Sequence, residues 1–131
     1  NHNNFCKENP FRLKTRPPVG SYSQAVLSNN TLYISGQIAI NPYDGEFKTD
    51  SIQDETHQVM KNLLALLEAA EMTVNNLVKC SIFLDNMENF SEVDAIYSTY
   101  FESNNFPARE TVEVSKLPKG VSIEISGIAV K

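Results

Sequence analysis

Residues 78–101, VKCSIFLDNMENFSEVDAIYSTYF, decide the fold because their periodicity changes from that of a strand to that of a helix. Apolar and polar side chains alternate from Val78 to Asp85, and this pattern predicts a half-buried strand. Its buried side is expected to consist of Val78, Cys80, Ile82 and Leu84. The strand supplies the middle of the chain with a surface against which helices can pack.

The second half of this stretch predicts a helix that begins after Ser91. Ser91 and Asp94 form an Asp variant of the capping box, and Phe90 with Ala95 can form a hydrophobic staple. Apolar side chains then recur every three to four residues, which is typical of a helix with one buried face. That face is expected to consist of Val93, Ile96, Tyr97, Tyr100 and Phe101.

Working outward, the flanking sequence predicts one further helix and several strands. Residues 52–71 have a strong apolar stripe and follow Asp50 and Ser51, either of which can cap a helix. Upstream, residues 23–27 and 31–38 predict two strands joined by a tight turn at Asn29-Asn30. Downstream, strands are expected at 111–115 and 122–130. A turn at Leu117-Pro118-Lys119-Gly120 separates them.

This order of elements predicts an α+β fold, with a mixed β-sheet and two helices packed on one face. Two helices cover only one side of a sheet. On the last strand both faces carry apolar side chains, since Ile123 and Ile125 alternate with Ser126, Ile128 and Val130. We therefore expect the uncovered face to be buried by self-association.

The length and composition exclude several classes of protein. The 131 residues fit one domain, which we place at residues 16–131 behind a flexible segment at 1–15. The formal charge of −5 disfavours nucleic acid and anionic membranes as partners. Two cysteines make no disulfide framework, so we expect a cytoplasmic protein, while a mitochondrial or other organellar location stays open.

Few residues offer chemistry. His57 is interpreted as a solvated helix residue and Cys80 as a buried inert thiol, and the spacing of ligand types predicts no metal site. Arg109 opens a strand after a helix-breaking loop, where it either binds a planar carboxylate or forms a salt bridge with Glu110 or Glu113. Glu124 is the one acid in an apolar strand, so it is either solvent-facing or a desolvated general acid/base.

Five motifs in order resemble those of the RidA/YjgF family of reactive intermediate deaminases, which are also called endoribonuclease L-PSP-like proteins. The motifs are GSYSQAV at 20–26, YISGQI at 33–38, FPAR at 106–109, LPKG at 117–120 and IEI at 123–125. The match runs from about Arg16 to Lys131. The resemblance implies a chorismate-mutase-like fold assembled as a homotrimer, with sites in the clefts between subunits.

The resemblance also implies an activity, which is hydrolysis of 2-enamine/2-imino acids to 2-oxo acids and ammonia without a cofactor or metal. Arg109 would hold the substrate carboxylate, and Glu124 would orient or activate the attacking water. Tyr22, Ser35 and Gly36 would line the pocket. Thr111 stands where many members have cysteine, and its hydroxyl would hold water.

Two acids depart from the family pattern. Glu88 stands where deaminases usually carry an asparagine near the substrate. It is expected either in the pocket, where it would oppose a carboxylate substrate or pair with Arg109, or turned outward. Glu110 replaces a small residue and is expected to pair with Arg109 or with another subunit. The alternative function is a non-enzymatic carboxylate-binding or chaperone-like role. Ribonuclease activity is less favoured, because the sequence offers no histidine pair and no basic stripe.

Overall fold

The computed structural model describes residues 20–131, which form a five-stranded sheet with two helices packed against one face. The elements are β1 (Ala25–Ser28), β2 (Thr31–Gln37), α1 (Ile52–Ala69), β3 (Leu77–Leu84), α2 (Phe90–Ser98), β4 (Ala108–Glu113) and β5 (Ile123–Val130). The strand order is β1-β2-β5-β3-β4, and among these pairs only β3 and β4 run parallel. The expected α+β architecture is confirmed, whereas the segment 1–15 lies outside the described residues.

The core lies between the helices and the inward side of the sheet. Alternate residues of β3 and β5 are fully buried there, namely Cys80, Ile82, Leu84, Ile123, Ile125 and Ala129. They meet the apolar stripe of α1, whose Val59, Leu63 and Leu67 have no exposed surface. The Ser51 hydroxyl accepts the Asp54 N–H at 3.0 Å and caps α1, which confirms one of the two predicted caps.

The other side of the sheet, which we call the open face, is only partly covered within one chain. Its side chains include Val26, Tyr33, Lys79, Ser81, Ser126 and Ile128, which line a shallow depression of about 270 Å³. Tyr33 is 50% exposed and Val130 is 38% exposed. The apolar residues predicted for both faces of β5 are therefore present, but those of the open face lack a partner within the described chain.

The structure corrects three predictions. Val78 is exposed rather than buried, because a β-bulge between Leu77 and Lys79 shifts the register against β5 and gives Leu77 the buried position. Helix α2 begins at Phe90, not after Ser91, since a 3₁₀ turn at Met87–Asn89 leads directly into it and no side chain caps it.

The third correction concerns β4, which spans Ala108–Glu113 rather than 111–115. The strand pairs with β3 from Lys79 to Leu84, so Arg109 lies within the sheet opposite Cys80.

Candidate functional site

The predicted site residues lie in two clefts. Tyr22, Ser35, Gly36 and Glu124 line an opening of about 420 Å³, together with Ile38, Ile40, Pro118 and Lys119. We call it the Glu124 cleft. Arg109 lies in a second opening of about 360 Å³, the Arg109 cleft, whose other lining residues are Asp94, Tyr97, Ser98, Phe106 and Pro107.

Sheet register places the two clefts on opposite faces. Arg109 pairs with Cys80, whose side chain is buried under the helices, and neighbouring residues in register share a face. Glu124 pairs with Phe83, which alternates with the buried Ile82 and Leu84 and therefore belongs to the open face. Within one chain, the predicted carboxylate-binding residue and the predicted base cannot meet the same small ligand.

A β-bulge shapes the Glu124 cleft. Between Ile34 and Gln37, strand β2 has two residues, Ser35 and Gly36, where β5 has one. The Glu124 side chain lies directly over Gly36, and a Cβ atom at position 36 would overlap its carboxyl group. The Ser35 hydroxyl donates to the Ser23 carbonyl at 2.6 Å and fastens the bulge to the segment that carries Tyr22.

The Glu124 carboxyl is partly withdrawn from water. This desolvation raises the pKa of Glu124 above its usual value of 4.5, because burial disfavours the charged form. A carboxyl group with a raised pKa both accepts and returns a proton more readily near neutral pH.

Arg109 is held by aromatic rings and one carboxylate. Its guanidinium lies 5.4 Å from the centre of the Phe90 ring and 5.2 Å from that of Tyr97. Its Nη1 donates to Asp94 Oδ1 at 2.6 Å. The expected local pair with Glu110 is wrong, since Glu110 lies 3.0 Å from Lys79 Nζ and accepts from the Ser81 hydroxyl.

Glu113 is not the partner of Arg109 either. Its Oε1 accepts the Met87 N–H at 2.7 Å, and it thereby holds the 3₁₀ turn before α2.

Two hydroxyl groups on the helix side of the sheet are buried without a protein partner among the described residues, those of Thr111 and Tyr97. Thr111 follows Arg109 by two residues on the same strand and so shares its face. Burial, and secondarily the neighbouring Cys80, raises the pKa of Tyr97, which keeps that phenol protonated. Both hydroxyls are therefore able to donate or accept one more hydrogen bond.

Other predicted residues lie outside the two clefts. Glu88 is exposed on the 3₁₀ turn, where its N–H donates to Asn86 Oδ1 at 2.9 Å. His57 is partly buried rather than freely solvated, and its Nδ1 lies 2.7 Å from the Tyr100 hydroxyl. Cys80 is buried as predicted, and desolvation raises the pKa of its thiol.

Sequence reasoning missed Asp94 as the partner of Arg109 and did not single out Glu55. Glu55 is 3% exposed, and its Oε2 accepts the N–H groups of Ser122 at 2.6 Å and Ile123 at 3.0 Å. It thereby fixes the start of β5, the strand that carries Glu124. The one sequence signal was an acid on the inward side of α1.

Among residues 20–131, no group of three acids, cysteines or histidines is arranged to hold a metal ion. None of the helices described for these residues is long and apolar enough to cross a membrane.

Comparisons of the sequence and the structure with known proteins point to one family. The family model described as endoribonuclease L-PSP matches residues 13–131. A RutC family protein of Pyrococcus horikoshii is 44% identical over 125 residues, which are 95% of this chain and 98% of the relative. The human 2-iminobutanoate/2-iminopropanoate deaminase is 42% identical over 113 residues, which are 86% of this chain and 82% of the human protein.

A solved structure matches equally closely. It is that of YyfA from Yersinia pestis, described as a protein of unknown function of the conserved Rid family. It superposes with a TM-score of 0.91 and 44% identity, covering 96% of this chain and all of the other. The motifs, the fold and these matches together show that the chain belongs to the endoribonuclease L-PSP family, also called RidA/YjgF.

Proposed function

We propose that this protein is a hydrolytic deaminase that converts 2-enamine/2-imino acids, such as 2-iminobutanoate and 2-iminopropanoate, to 2-oxo acids and ammonia. The observation that carries the proposal is the half-buried Glu124 carboxyl over Gly36, whose pKa is raised. Such a group is suited to move a proton to and from water. The name of the human relative gives further support.

The reaction needs little from the protein. Arg109 binds the substrate carboxylate, and Glu124 accepts a proton from a water molecule as its oxygen attacks the imine carbon. The proton then passes to the nitrogen of the resulting adduct. As the carbon–nitrogen bond breaks, the new hydroxyl group gives its proton to Glu124 and becomes the carbonyl of the 2-oxo acid, and ammonia leaves. A positioned general base contributes about 10²–10⁴-fold to such a step. The Thr111 hydroxyl binds a water molecule by a hydrogen bond. Tyr22, Ser35 and Gly36 form the wall of the Glu124 cleft.

We further propose that the working protein is a homotrimer whose sites lie between subunits. The Arg109 cleft and the Glu124 cleft lie on opposite faces of one sheet, so a complete site requires the Arg109 cleft of one copy and the Glu124 cleft of another. The partly covered open face, with its exposed Tyr33 and Val130, supplies the surface for that association. Glu88 lines neither cleft within one chain, so we propose it as a substrate-binding residue only in such an assembly.

Substitution of Arg109 tests the proposal. Arg109→Ala is expected to lower kcat/KM for ammonia release from 2-iminobutanoate by about a hundredfold or more, since each charge-assisted hydrogen bond contributes roughly 1.5–3 kcal/mol. The substrate is generated in place by a threonine dehydratase. Lys116→Ala, which removes an exposed cation that lines neither cleft, is the control. Turnover by Arg109→Ala at the wild-type rate would contradict the assignment.

The same assay distinguishes a deaminase from a protein with the alternative, non-enzymatic function. A carboxylate-binding or chaperone-like protein would bind 2-oxobutanoate without accelerating ammonia release. We expect no cofactor, no nucleic acid partner and a cytoplasmic location. For ribonuclease activity, the described residues offer one histidine, His57, whose Nδ1 lies 2.7 Å from the Tyr100 hydroxyl and which lines neither cleft.

A further inference from the structure

The Arg109 cleft contains a negative charge as well as a positive one. Asp94 and Arg109 both line it, and a single contact of 2.6 Å joins Arg109 Nη1 to Asp94 Oδ1. That contact occupies one guanidinium nitrogen and one carboxylate oxygen. The Asp94 side chain is 44% exposed and that of Arg109 is 26% exposed, so the remaining polar atoms are accessible from the cleft.

We propose that Asp94 is a specificity-determining residue, which together with Arg109 selects zwitterionic ligands over purely anionic ones. The inference rests on the proposed function, because it takes Arg109 as the site of the substrate carboxylate. A protonated 2-imino acid carries a positive nitrogen on the carbon next to its carboxylate. The 2-oxo acid product carries the same carboxylate but an uncharged oxygen at that carbon.

Charge complementarity supplies the physical reason. A ligand carboxylate on the free guanidinium donors places the adjacent nitrogen near Asp94, where a cation is attracted. A 2-oxo acid in the same position brings only a negative charge toward Asp94 and is repelled. Asp94 therefore retains the protonated imino acid and favours release of the product.

The surroundings limit the size of the effect. Solvent reaches the pair and screens it, so we expect a change of about threefold to tenfold in relative affinity. The rings of Phe90 and Tyr97 hold the guanidinium in place, so its position does not depend on Asp94 alone. Removal of the Asp94 charge should therefore change ligand preference while Arg109 continues to bind carboxylates.

Two ligands that differ only at the second carbon test the proposal. Binding of 2-aminobutanoate, the zwitterion, and of 2-oxobutanoate, the anion, is measured calorimetrically on the full chain with Asp94→Asn and with Arg109→Ala. Glu92→Gln is the matched control, since it makes the same charge change on the same helix. The Glu92 carboxylate accepts a hydrogen bond from the Gln53 side chain and does not line the cleft. Circular dichroism confirms that each variant is folded.

Asp94→Asn is expected to bind 2-oxobutanoate more tightly and 2-aminobutanoate more weakly, so that the affinity ratio shifts by about threefold to tenfold. Glu92→Gln should keep the wild-type ratio. An unchanged affinity ratio in Asp94→Asn, or the same shift in Glu92→Gln, would overturn the inference about Asp94 and leave the proposed function standing. If Arg109→Ala still bound both ligands, or wild type bound neither, the proposed function itself would fail.

Discussion

At the scale of single residues, the close approach of Gly36 to Glu124 makes position 36 sensitive to one added methyl group. Gly36→Ala should force the Glu124 carboxyl aside, because the new Cβ would occupy its place. Misplacement of a catalytic group by about 1 Å can cost about a hundredfold in rate. We therefore expect a loss of about that size in kcat/KM for ammonia release.

Gly20→Ala is the matched control for that variant. Its added methyl would meet only the Tyr22 ring at 3.5 Å, an ordinary contact distance. We expect it to keep most of the activity. Wild-type kcat/KM in Gly36→Ala would show that the position of Glu124 does not matter for the reaction.

The raised pKa of Glu124 predicts a pH dependence. A base must be unprotonated to accept a proton from water, so kcat/KM should fall as the pH falls through the pKa of Glu124. Desolvation raises that pKa above the usual glutamate value of 4.5. The decrease in kcat/KM should therefore begin at a higher pH than it would for an ordinary glutamate. Glu124→Gln should lose activity and this pH limb together. An identical limb in the residual activity of that variant would assign it to another group.

Among the site residues, Arg109 and Glu124 could be predicted from the sequence, whereas the role of Asp94 could not. Arg109 and Glu124 stood out because each charge type was rare in its surroundings. Asp94 was interpreted as a capping residue, because its distance from Arg109 along the chain carries no periodic signal. Helix α2 connects β3 to the parallel strand β4, and the contact between Asp94 and Arg109 joins this helix to the strand that follows it.

At the scale of elements, a buried acid on α1 fixes the start of β5. Glu55→Ala would leave the buried N–H of Ile123 and that of Ser122 without their acceptor, which should lower the free energy of unfolding by about 1–3 kcal/mol. Chemical denaturation measures this change. Because β5 carries Glu124, the variant should also lose activity at temperatures at which it remains folded.

Glu55→Gln is the informative counterpart, since its amide oxygen can still accept a backbone N–H. Desolvation raises the pKa of Glu55, so the folded state holds its proton more tightly than the unfolded state does. The stability that wild type gains from this group therefore decreases as the pH rises above about 4.5. Glu55→Gln should lack this decrease. Equal pH profiles in the two proteins would contradict the burial of a titrating Glu55.

The elements that sequence predicted well are those whose signal is local. Helix α1 and the buried side of β5 follow from hydrophobic periodicity within each segment. Val78 and the start of α2 could not be predicted in the same way. The bulge at Val78 depends on register against a strand some fifty residues away, and a preceding 3₁₀ turn replaces the cap of α2.

At the scale of the whole molecule, the open face predicts assembly. Ile128→Asp would replace an apolar side chain in the depression of that face with a charged one, so it should convert a trimer into monomers and abolish ammonia release. Light scattering after size-exclusion chromatography gives the mass, and circular dichroism confirms folding. Tyr43→Glu, at a side chain that is 93% exposed in a turn, should leave the trimer intact. A wild-type monomer with full activity would contradict the proposed assembly.

The strand order has a consequence for how the chain folds during synthesis. β5 is the last strand in chain order, yet it lies at the centre of the sheet and pairs with both β2 and β3. Until β5 leaves the ribosome, the β1–β2 hairpin and the β3–α2–β4 unit have no strand to join them. The long-range pairing predicts slow folding, during which the two unjoined sheet edges are exposed to aggregation.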